Sequence, residues 1–221
     1  AAVRAVTRAA IKKGFRVVGI RRGYNGLLNN DMVELTTRDV ADIIQRGGTE
    51  IFTARCKEFR EWEYVLKAKD ICVRDNFAGI VVIGGDGSFR GAADLSKAGI
   101  PCVGLPGTID NDIQCSEYTI GYDTAMNTVV EAVDRLRDTC ESHARCNVVE
   151  VMGRNAGYIA LETGIAVGAT AVVIKEDLNY SEEELLNKIH EGRKAGKRNF
   201  IVIVAEGVEN YSEKLAKTIQ E

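Results

Sequence analysis

Two turns rich in glycine and carboxylates, each following a short apolar run, constrain this chain more than any other feature. The apolar run 78–83 leads into GGDGS at 84–88, and the apolar run 100–105 leads into PGTIDND at 106–112. Short apolar runs bounded by such turns are typical of buried strands in parallel sheets. Each run is therefore predicted to be a strand, and the two turns together are predicted to form a phosphoryl-transfer site.

The first turn suits phosphate oxygens and a metal ion. Its glycines allow backbone N–H groups to approach an anion closely, and Ser88 is predicted to cap the next helix and to direct its N-terminus at that anion. Asp86 lies where a Mg²⁺ ion that bridges two phosphates needs an oxygen ligand. The alternative is a plain strand–turn–helix connection with an exposed aspartate, because turns favour Gly and Asp on conformational grounds alone.

The second turn offers a base. Alternation after the strand is expected to direct the side chains of Thr108 and Asp110 to one side and that of Ile109 to the other. Asp110 is predicted to be the general base for a sugar hydroxyl. Asp112 is predicted either to hold the metal or to shift the pKa of its neighbour. The alternative is an ordinary turn built from Asn and Asp.

A third turn, MGRNAG at 152–157, follows the predicted strand 147–152 and opens a helix. A helix N-terminus with an arginine beside it predicts an anion-binding site that includes Arg154. The alternative is an arginine that is simply solvated at the start of a helix. His143 and His190 are predicted to be surface residues without a catalytic role.

The rest of the chain alternates apolar runs with amphipathic segments, which predicts α/β architecture with mostly parallel sheets covered on both faces. The further strands are predicted at 15–20, 50–53, 171–174 and 200–204. Helices are predicted at the chain start and at 37–46, 58–74 and 88–97, with Gly47 and Gly99 as helix stops. A long helix is predicted from Asp123 or Thr124, with an apolar face of Ala125, Val129, Val133, Leu136 and Cys140. Another is predicted from a capping box of Ser181 and Glu184 to near Gly196. Two doubly wound, Rossmann-like domains are expected, at 1–122 and 123–221.

Composition excludes several classes of partner. The formal net charge of −3 does not favour nucleic acid. No apolar run approaches the length of a membrane span. The six cysteines form no CxxC pair, so a zinc or disulfide framework is not indicated. Reduced thiols and a cytoplasmic location are predicted.

In these residues the chain resembles the ATP-dependent 6-phosphofructokinases over essentially its whole length. GGDGS, PGTIDND, the SHxR segment at 142–145, VEVMGRNAG at 149–157 and AEG at 205–207 occur in the family's order. The resemblance implies phosphoryl transfer from ATP to the 1-hydroxyl of fructose 6-phosphate, with Mg²⁺ as cofactor. It also implies a homo-oligomer, a tetramer.

The resemblance implies a role for each matching residue. The nucleotide site comprises Tyr24, Arg55, Cys56, Gly85, Asp86, Gly87 and Ser88, with Asp86 as the metal ligand. The sugar phosphate site comprises Thr108, Asp110, Met152, Gly153, Arg154 and Glu206, together with Arg145 given across the subunit interface. Asp110, Arg55, Thr108 and Arg154 are the implied catalytic residues: Asp110 deprotonates the sugar and Arg55 neutralises the transferring phosphoryl group.

Parts of the family pattern are missing from this sequence. The chain opens on a helix, without the family's first strand and GGDxxGxN loop, and ends before the segment that supplies a histidine and further arginines, so a fragment is expected. One set of basic residues resembles the lining of the effector site in bacterial members of the family: Arg4, Arg8, Arg137, Lys197 and Arg198. Thr170 stands where a carboxylate is common in that site, and the alternative is that these basic residues are only solvated.

Three alternatives of other kinds stay open on the sequence. One is a pyrophosphate-dependent phosphofructokinase, which typically carries Asp and Lys where this chain has Gly87 and Gly107. A second is the non-catalytic regulatory half of a duplicated kinase, although such halves tend to lose Asp86 or Asp110. The third is a pure nucleotide-binding module, which would have no need of the TIDND segment.

Overall fold

The structure, a computed structural model, describes residues 1–220. The backbone separates into two compact units, the first ending at Gly107 and the second beginning at Thr108. The functional domains predicted at 1–122 and 123–221 stay a prediction, and the last residue of the second lies outside the described residues. None of the helices within residues 1–220 combines the length and the apolar character needed to cross a membrane.

The first unit contains four strands and four α-helices, with a 3₁₀ turn at Glu58–Arg60. The strands are β1 (Val17–Ile20), β2 (Met32–Leu35), β3 (Ile80–Gly84) and β4 (Cys102–Pro106), and the helices are α1 (Ala2–Lys12), α2 (Gly23–Leu28), α3 (Trp62–Arg74) and α4 (Asp86–Lys97). β1 and β2 pair antiparallel, whereas β3 and β4 pair parallel. Since Gly84 is opposite Pro106 in that register, the turns that follow β3 and β4 begin side by side.

The second unit is a three-stranded parallel sheet with helices on both faces. Its elements are α5 (Tyr122–Ser142), β5 (Cys146–Val151), α6 (Tyr158–Ala166), β6 (Ala171–Val173), α7 (Glu182–Lys194), β7 (Phe200–Ala205) and α8 (Tyr211–Gln220). The strand order is β5-β7-β6, with β7 fully buried in the centre. Ile201 and Ile203 belong to one core with residues of α5 and α6, while Val202 and Val204 belong to another with α7 and α8.

The predicted α/β class with mostly parallel sheets is confirmed, because every strand pair except β1–β2 is parallel. Two predicted elements are wrong. Residues 37–46 form turns rather than a helix, and residues 50–53 form no strand. Asp42 has a φ of 54°, which no helix interior accepts, so the helical spacing of apolar residues there is not realised. Gly47 consequently ends no helix, and β2, α2 and α8 were not predicted.

The predicted helix ends are correct in part. Ser181 caps α7, accepting from the N–H of Glu184 at 3.3 Å, and Gly99 and Gly196 follow α4 and α7 with φ of 100° and 92°. The N-caps predicted for α4 and α5 are wrong. Gly85 rather than Ser88 is the N-cap of α4, and Gly121, with a φ of 106°, precedes α5 ahead of Asp123 and Thr124.

The predicted apolar face of α5 is also only partly correct. Val133 and Cys140 are buried, but 42% of Leu136 is exposed. Ala125 and Val129 pack on the core as predicted, together with Met126 and Val130, so Leu136 is the one predicted member that departs from the buried face.

Candidate active site

The first predicted turn joins β3 to α4, and its predicted role in binding phosphate rests on the start of that helix. Helix α4 begins at Asp86, and the N–H groups of a first helical turn have no partner within the helix. The Asp86 carboxylate forms an ion pair with Arg90 one turn later, with 2.7 Å between Oδ2 and Nη2. Both side chains are well exposed, 49% for Asp86 and 77% for Arg90, and such a pair contributes little to stability. The carboxylate is therefore free to exchange Arg90 for another cation.

Tyr24 supports this turn from beneath. Its hydroxyl donates to the carbonyl oxygen of Ser88 at 2.5 Å, and its ring stacks on Phe59 with 4.0 Å between centroids. A β-carbon at Gly91 would lie 2.5 Å from the tyrosine ring, so only glycine allows α4 to approach it. Burial raises the pKa of Tyr24 far above its ordinary value. Tyr24 is therefore a neutral side chain that supports α4 in this unit. Its place in a nucleotide pocket stays a prediction.

The two glycines from which an ATP donor is predicted, Gly87 and Gly107, lie in different surroundings. A β-carbon at Gly87 would meet nothing within 4 Å, so a side chain there would project into open space beside the start of α4. A β-carbon at Gly107 would lie 2.8 Å from Cγ2 of Ile83 on β3. Gly107 is thus required by the close approach of the two turns, and Gly87 is not required by packing at all.

Arg55 and Cys56 lie in an irregular segment before the 3₁₀ turn. Arg55 is exposed. Cys56 packs against the core of the first unit, its thiol 3.5 Å from Oε2 of Glu58. Burial raises the pKa of the Cys56 thiol. The thiol is therefore a neutral packing group rather than a nucleophile.

The chemistry of the donor set fits Mg²⁺ as an ion held mainly by phosphates. Within residues 1–220, no three His, Cys, Asp or Glu side chains are grouped so that they could hold an ion by themselves. Mg²⁺ sites on nucleotides commonly use one or two carboxylates and complete the shell with phosphate oxygens and water. Asp86, a half-exposed carboxylate at the helix start, would supply one hard oxygen ligand of that kind.

The second predicted turn is held by Thr108 and Asn111. Thr108 Oγ1 accepts from the N–H of Asp110 at 3.2 Å. Asn111, with a left-handed φ of 53°, accepts from the N–H of Thr119 at 2.9 Å through Oδ1. Ile109 packs against the core of the second unit. Residues 107–110 form no strand, so the opposite directions expected for the side chains of Thr108 and Ile109 stay a prediction.

Asp110 is a half-buried carboxylate among other charges. Burial raises its pKa above the ordinary value, and the negative charge of Asp112 raises the pKa further. Arg154 and a hydrogen bond from Thr108 lower the pKa, and Glu206 raises it. These neighbours all belong to the second unit, so the structure brings the predicted base, Thr108, Arg154 and Glu206 together. A raised pKa suits a general base, because it strengthens proton abstraction near neutral pH.

The third turn differs from the predicted anion site. Gly153 and Arg154 have φ of 145° and 58°, so two successive backbone N–H groups form a concave anion site of the type called a nest. Glu206 Oε1 occupies it, 3.3 Å from the N–H nitrogen of Gly153 and 2.5 Å from that of Arg154. The predicted site for an external anion is therefore filled by the protein's own carboxylate, and Arg154 offers its exposed side chain instead.

A second carboxylate holds the far end of the same turn. Glu176 Oε1 accepts from the N–H of Gly157, the N-cap of α6, at 2.8 Å. A β-carbon at Gly157 would lie 2.7 Å from Glu176 Oε2 and equally close to Ile174. The N–H of the residue that precedes α6 is thus already bound by a carboxylate of the protein.

Arg145 lies immediately before β5. Its backbone is fixed, because its carbonyl oxygen accepts from the Cys140 thiol at 2.9 Å and from the N–H of Phe200 at 3.2 Å. Its exposed side chain lines a cleft of about 360 Å³ together with Arg193 and residues of α8. Met152, the other predicted sugar contact, is 63% exposed at the end of β5.

Comparison with known proteins decides the family. The phosphofructokinase family matches residues 1–221. The chain belongs to the phosphofructokinase family. Among curated phosphofructokinases, the ATP-dependent 6-phosphofructokinase of Clostridium botulinum strain Hall is 54% identical over 221 residues, covering 100% of this chain and 69% of that protein. The one from Clostridium tetani is 52% identical over 220 residues, covering 100% of this chain and 68% of the relative.

Solved phosphofructokinase structures agree with this fold. The Saccharomyces cerevisiae enzyme superposes with a TM-score of 0.87 at 34% identity, over 99% of this chain and 34% of that one. The Pichia pastoris enzyme in the T-state gives 0.88 at 37% identity, over 99% of this chain and 26% of the other. A pyrophosphate-dependent phosphofructokinase from Marinobacter aquaeolei gives 0.75 at 22% identity, over 96% and 58%, which shows a shared fold alone.

The basic residues predicted for an effector site of this phosphofructokinase are mostly engaged with the backbone. In the first unit, Arg4 donates to the carbonyl of Val40 at 2.6 Å, and Arg8 lines a cleft of about 370 Å³. In the second unit, Arg137 donates to the Val167 carbonyl, Lys197 Nζ lies 3.5 Å from Thr170 Oγ1, and Arg198 donates to carbonyls at the end of α5. Thr170 is buried and neutral, so it offers these cations a hydroxyl and no charge.

Sequence reasoning missed three residues that pair with the predicted turns or fix their backbone: Arg90, Asn111 and Glu176. The pairing of Arg90 could have been predicted, since residues four positions apart on a helix are neighbours and Arg90 lies four positions after Asp86. The turn at Asn111 could also have been predicted, because Asn tolerates left-handed backbone. The role of Glu176 could not, since its contact with Gly157 spans 19 residues of sequence.

Proposed function

We propose that the full-length protein transfers the terminal phosphoryl group of ATP to the 1-hydroxyl of fructose 6-phosphate, giving fructose 1,6-bisphosphate and ADP in glycolysis. Asp110 carries the proposal: it is a half-buried carboxylate of raised pKa beside Thr108 and Arg154. Membership of the family and the 54% identity to enzymes named ATP-dependent 6-phosphofructokinase support it. One coupled assay of the full-length protein, with ATP and separately with pyrophosphate, tests it.

The chemistry needs one base and several cations. Asp110 takes the proton of the 1-hydroxyl as that oxygen bonds to the terminal phosphorus, while the bond from phosphorus to the bridging oxygen breaks and ADP leaves. The charge spreads over the transferring phosphoryl oxygens, so positioning and positive charge supply most of the acceleration. Arg154, beside Asp110 in the second unit, and Arg55 of the first unit are the proposed cations, and Thr108 positions Asp110 through its N–H.

Asp86 is the proposed residue for Mg²⁺, with ATP phosphates completing the shell. The ion, when bound, supplies charge neutralisation at the phosphates. The start of α4 and the room at Gly87 support nucleotide phosphates at this place. Cys56 and the Tyr24-supported turn of Gly85 and Ser88 are the proposed remainder of the nucleotide site.

Asp86→Ala is expected to raise the Mg²⁺ concentration for half-maximal activity and to lower kcat in the full-length enzyme. The physical reason is loss of the single carboxylate ligand, which phosphates cannot replace. Titrating activity against Mg²⁺ at fixed ATP measures both effects. Asp94→Ala is the matched control, since it removes another exposed carboxylate of α4 that is paired to a cation, Lys97, at 2.9 Å. An unchanged Mg²⁺ titration for Asp86→Ala would place the metal elsewhere.

The proposed assembly is a homotetramer in the cytoplasm, with Arg145 acting on the sugar phosphate bound by a neighbouring subunit. An exposed arginine at a fixed backbone position supports this role, since Arg binds phosphate in a bidentate manner. Glu206 Oε2, Met152 and Gly153 are the proposed sugar contacts. Control by an effector anion at Arg4, Arg8, Arg137, Lys197 and Arg198 is part of the same proposal, with Thr170 reducing its resemblance to the bacterial site.

Arg145→Ser is expected to raise KM for fructose 6-phosphate about 10-fold or more, with KM for ATP nearly unchanged, because one charge-assisted phosphate contact is lost. Mixing this variant with Asp110→Asn subunits should recover activity, since some hybrid sites then hold both intact residues. Arg135→Ser, which removes a 78% exposed arginine of α5, is the control. Mixed oligomers, verified by mass, that recover no activity would contradict sites shared between subunits.

A further inference from the structure

The Arg154-bearing turn is held in an unfavourable backbone conformation. Arg154 has a φ of 58°, and left-handed backbone is unfavourable for a residue with a β-carbon. Such conformations persist where the surroundings enforce them, and they cluster at functional sites. The contacts that enforce this one therefore also fix where the Arg154 side chain leaves the backbone.

Two carboxylates enforce it from opposite ends. Glu206, which follows β7, accepts from the N–H groups of Gly153 and Arg154. Glu176, which follows β6, accepts from the N–H of Gly157 at 2.8 Å. The strands β5, β7 and β6 are parallel neighbours in that order. Both carboxylates therefore lie at the carboxyl ends of their strands, the same end of the sheet as the turn after β5.

Neighbouring glycines leave room for these contacts. A β-carbon at Gly207 would lie 2.6 Å from the carbonyl oxygen of Arg154, and one at Gly157 would lie 2.7 Å from Glu176 Oε2. The N–H of Glu206 also donates to the carbonyl of Val151 at 2.9 Å, which extends the β5–β7 pairing to the residue that binds the turn. Backbone and side chain thus lock the turn to the sheet.

We infer that Glu176 is a positioning residue for Arg154. With Glu206 it clamps residues 153–157 and so presents the guanidinium beside Asp110, although Glu176 itself binds only backbone. Charge supports the arrangement, because a carboxylate at the N-terminus of α6 interacts favourably with the helix dipole. The inference rests on the proposed function for its kinetic readout, and hydrogen exchange tests the clamp without it.

The experiment is a double-mutant cycle in the full-length enzyme, pairing Glu176→Ala with Arg154→Ala. Glu176→Ala alone is expected to lower kcat roughly 10- to 100-fold, the scale of a misplaced catalytic group, with KM for ATP unchanged. In the Arg154→Ala background the same change should cost less than about twofold, because no guanidinium remains to be positioned. Equal losses in the two backgrounds, or no loss in the single variant, would overturn the inference.

Conservative variants separate the hydrogen bond from general stability. Glu176→Gln keeps an oxygen acceptor for the N–H of Gly157 and is expected to retain kcat within about threefold, since a neutral acceptor still holds the turn. Glu183→Ala, which removes an exposed carboxylate of α7, should match the wild type. If Glu176→Ala does not fold, the cycle is run with Glu176→Asp, whose shorter side chain draws the carboxylate away from Gly157.

Hydrogen exchange of the backbone amides gives a readout that does not depend on activity. Exchange in a peptide covering 153–157 is expected to be faster in Glu176→Ala and unchanged in Glu183→Ala. Slow exchange in Glu176→Ala would contradict the clamp. An inactive wild-type parent with the expected exchange result would instead refute the proposed kinase activity and leave the clamp standing.

Discussion

Asp110→Asn in the full-length enzyme is expected to lower kcat by about 10²-fold or more, with KM for fructose 6-phosphate and ATP largely retained. Asparagine keeps the size and the hydrogen-bonding shape of the residue but cannot accept the proton, and general bases typically contribute 10²- to 10⁴-fold. Steady-state kinetics with both substrates varied measures the effect. Asp134→Asn on the exposed side of α5 is the matched control. Turnover within a few-fold of the wild type would refute the assignment.

The raised pKa of Asp110 gives this prediction a pH signature and a stability signature. Activity of the wild type should fall on the acid side at a higher pH than an ordinary aspartate would give, since burial and Asp112 oppose ionisation. The pKa of Asp110 is higher in the folded chain than in the unfolded chain. Protonated Asp110 therefore contributes to the free energy of unfolding at acid pH, and this contribution is lost as pH rises through the pKa of the folded chain. Asp110→Asn should therefore raise Tm at neutral pH.

Gly87→Asp is expected to lower kcat/KM for ATP by roughly 10³-fold, since like charges placed against each other in a binding interface cost several kcal/mol. The new carboxylate would project into the open space beside the start of α4, where nothing lies within 4 Å of the β-carbon. The variant would therefore fold without displacing a neighbouring side chain, and its new carboxylate would act by repelling phosphate. Kinetics with ATP varied at saturating fructose 6-phosphate measures the loss.

Gly87→Asn is the control for this experiment, because it adds the same volume without charge. It is expected to keep most of the activity that Gly87→Asp loses. Equal losses in the two variants would show that crowding rather than repulsion governs the site. Pyrophosphate proving the better donor for the wild type would contradict the glycine argument itself, while the fold and the Asp110 assignment would stand.

The sequence predicted the parts of this structure that depend on local pattern. Strands β3 and β4, and the turns that carry Asp86 and Asp110, were readable because apolar runs and turn residues act over a few positions. The joint environment of Asp110, Arg154 and Glu206 was reached only through the family resemblance, since they are far apart in sequence. Arg154 and Glu206 follow the neighbouring parallel strands β5 and β7, whereas Asp110 follows β4, which pairs with β3 in another sheet.

The failures have a shared physical cause, which is backbone conformation imposed by tertiary contacts. Residues 37–46 carry a helical spacing of apolar residues, but the left-handed φ of Asp42 breaks it. The anion site predicted at 152–157 exists in outline, yet Glu206 and Glu176 fill it from other strands. No local pattern encodes which distant side chain will occupy a set of backbone donors.

The close contact between Gly107 and Ile83 bears on how donor preference can change in evolution. A lysine at position 107, typical of the pyrophosphate enzymes, would place its β-carbon 2.8 Å from the Ile83 methyl group. An aspartate at position 87 meets no such obstacle. The two substitutions are therefore unequal steps: the one at 87 is open at once, whereas the one at 107 requires the Ile83 side chain or the local backbone to shift. A lineage that changes donor is thus constrained in the order of its mutations by a single methyl group on β3.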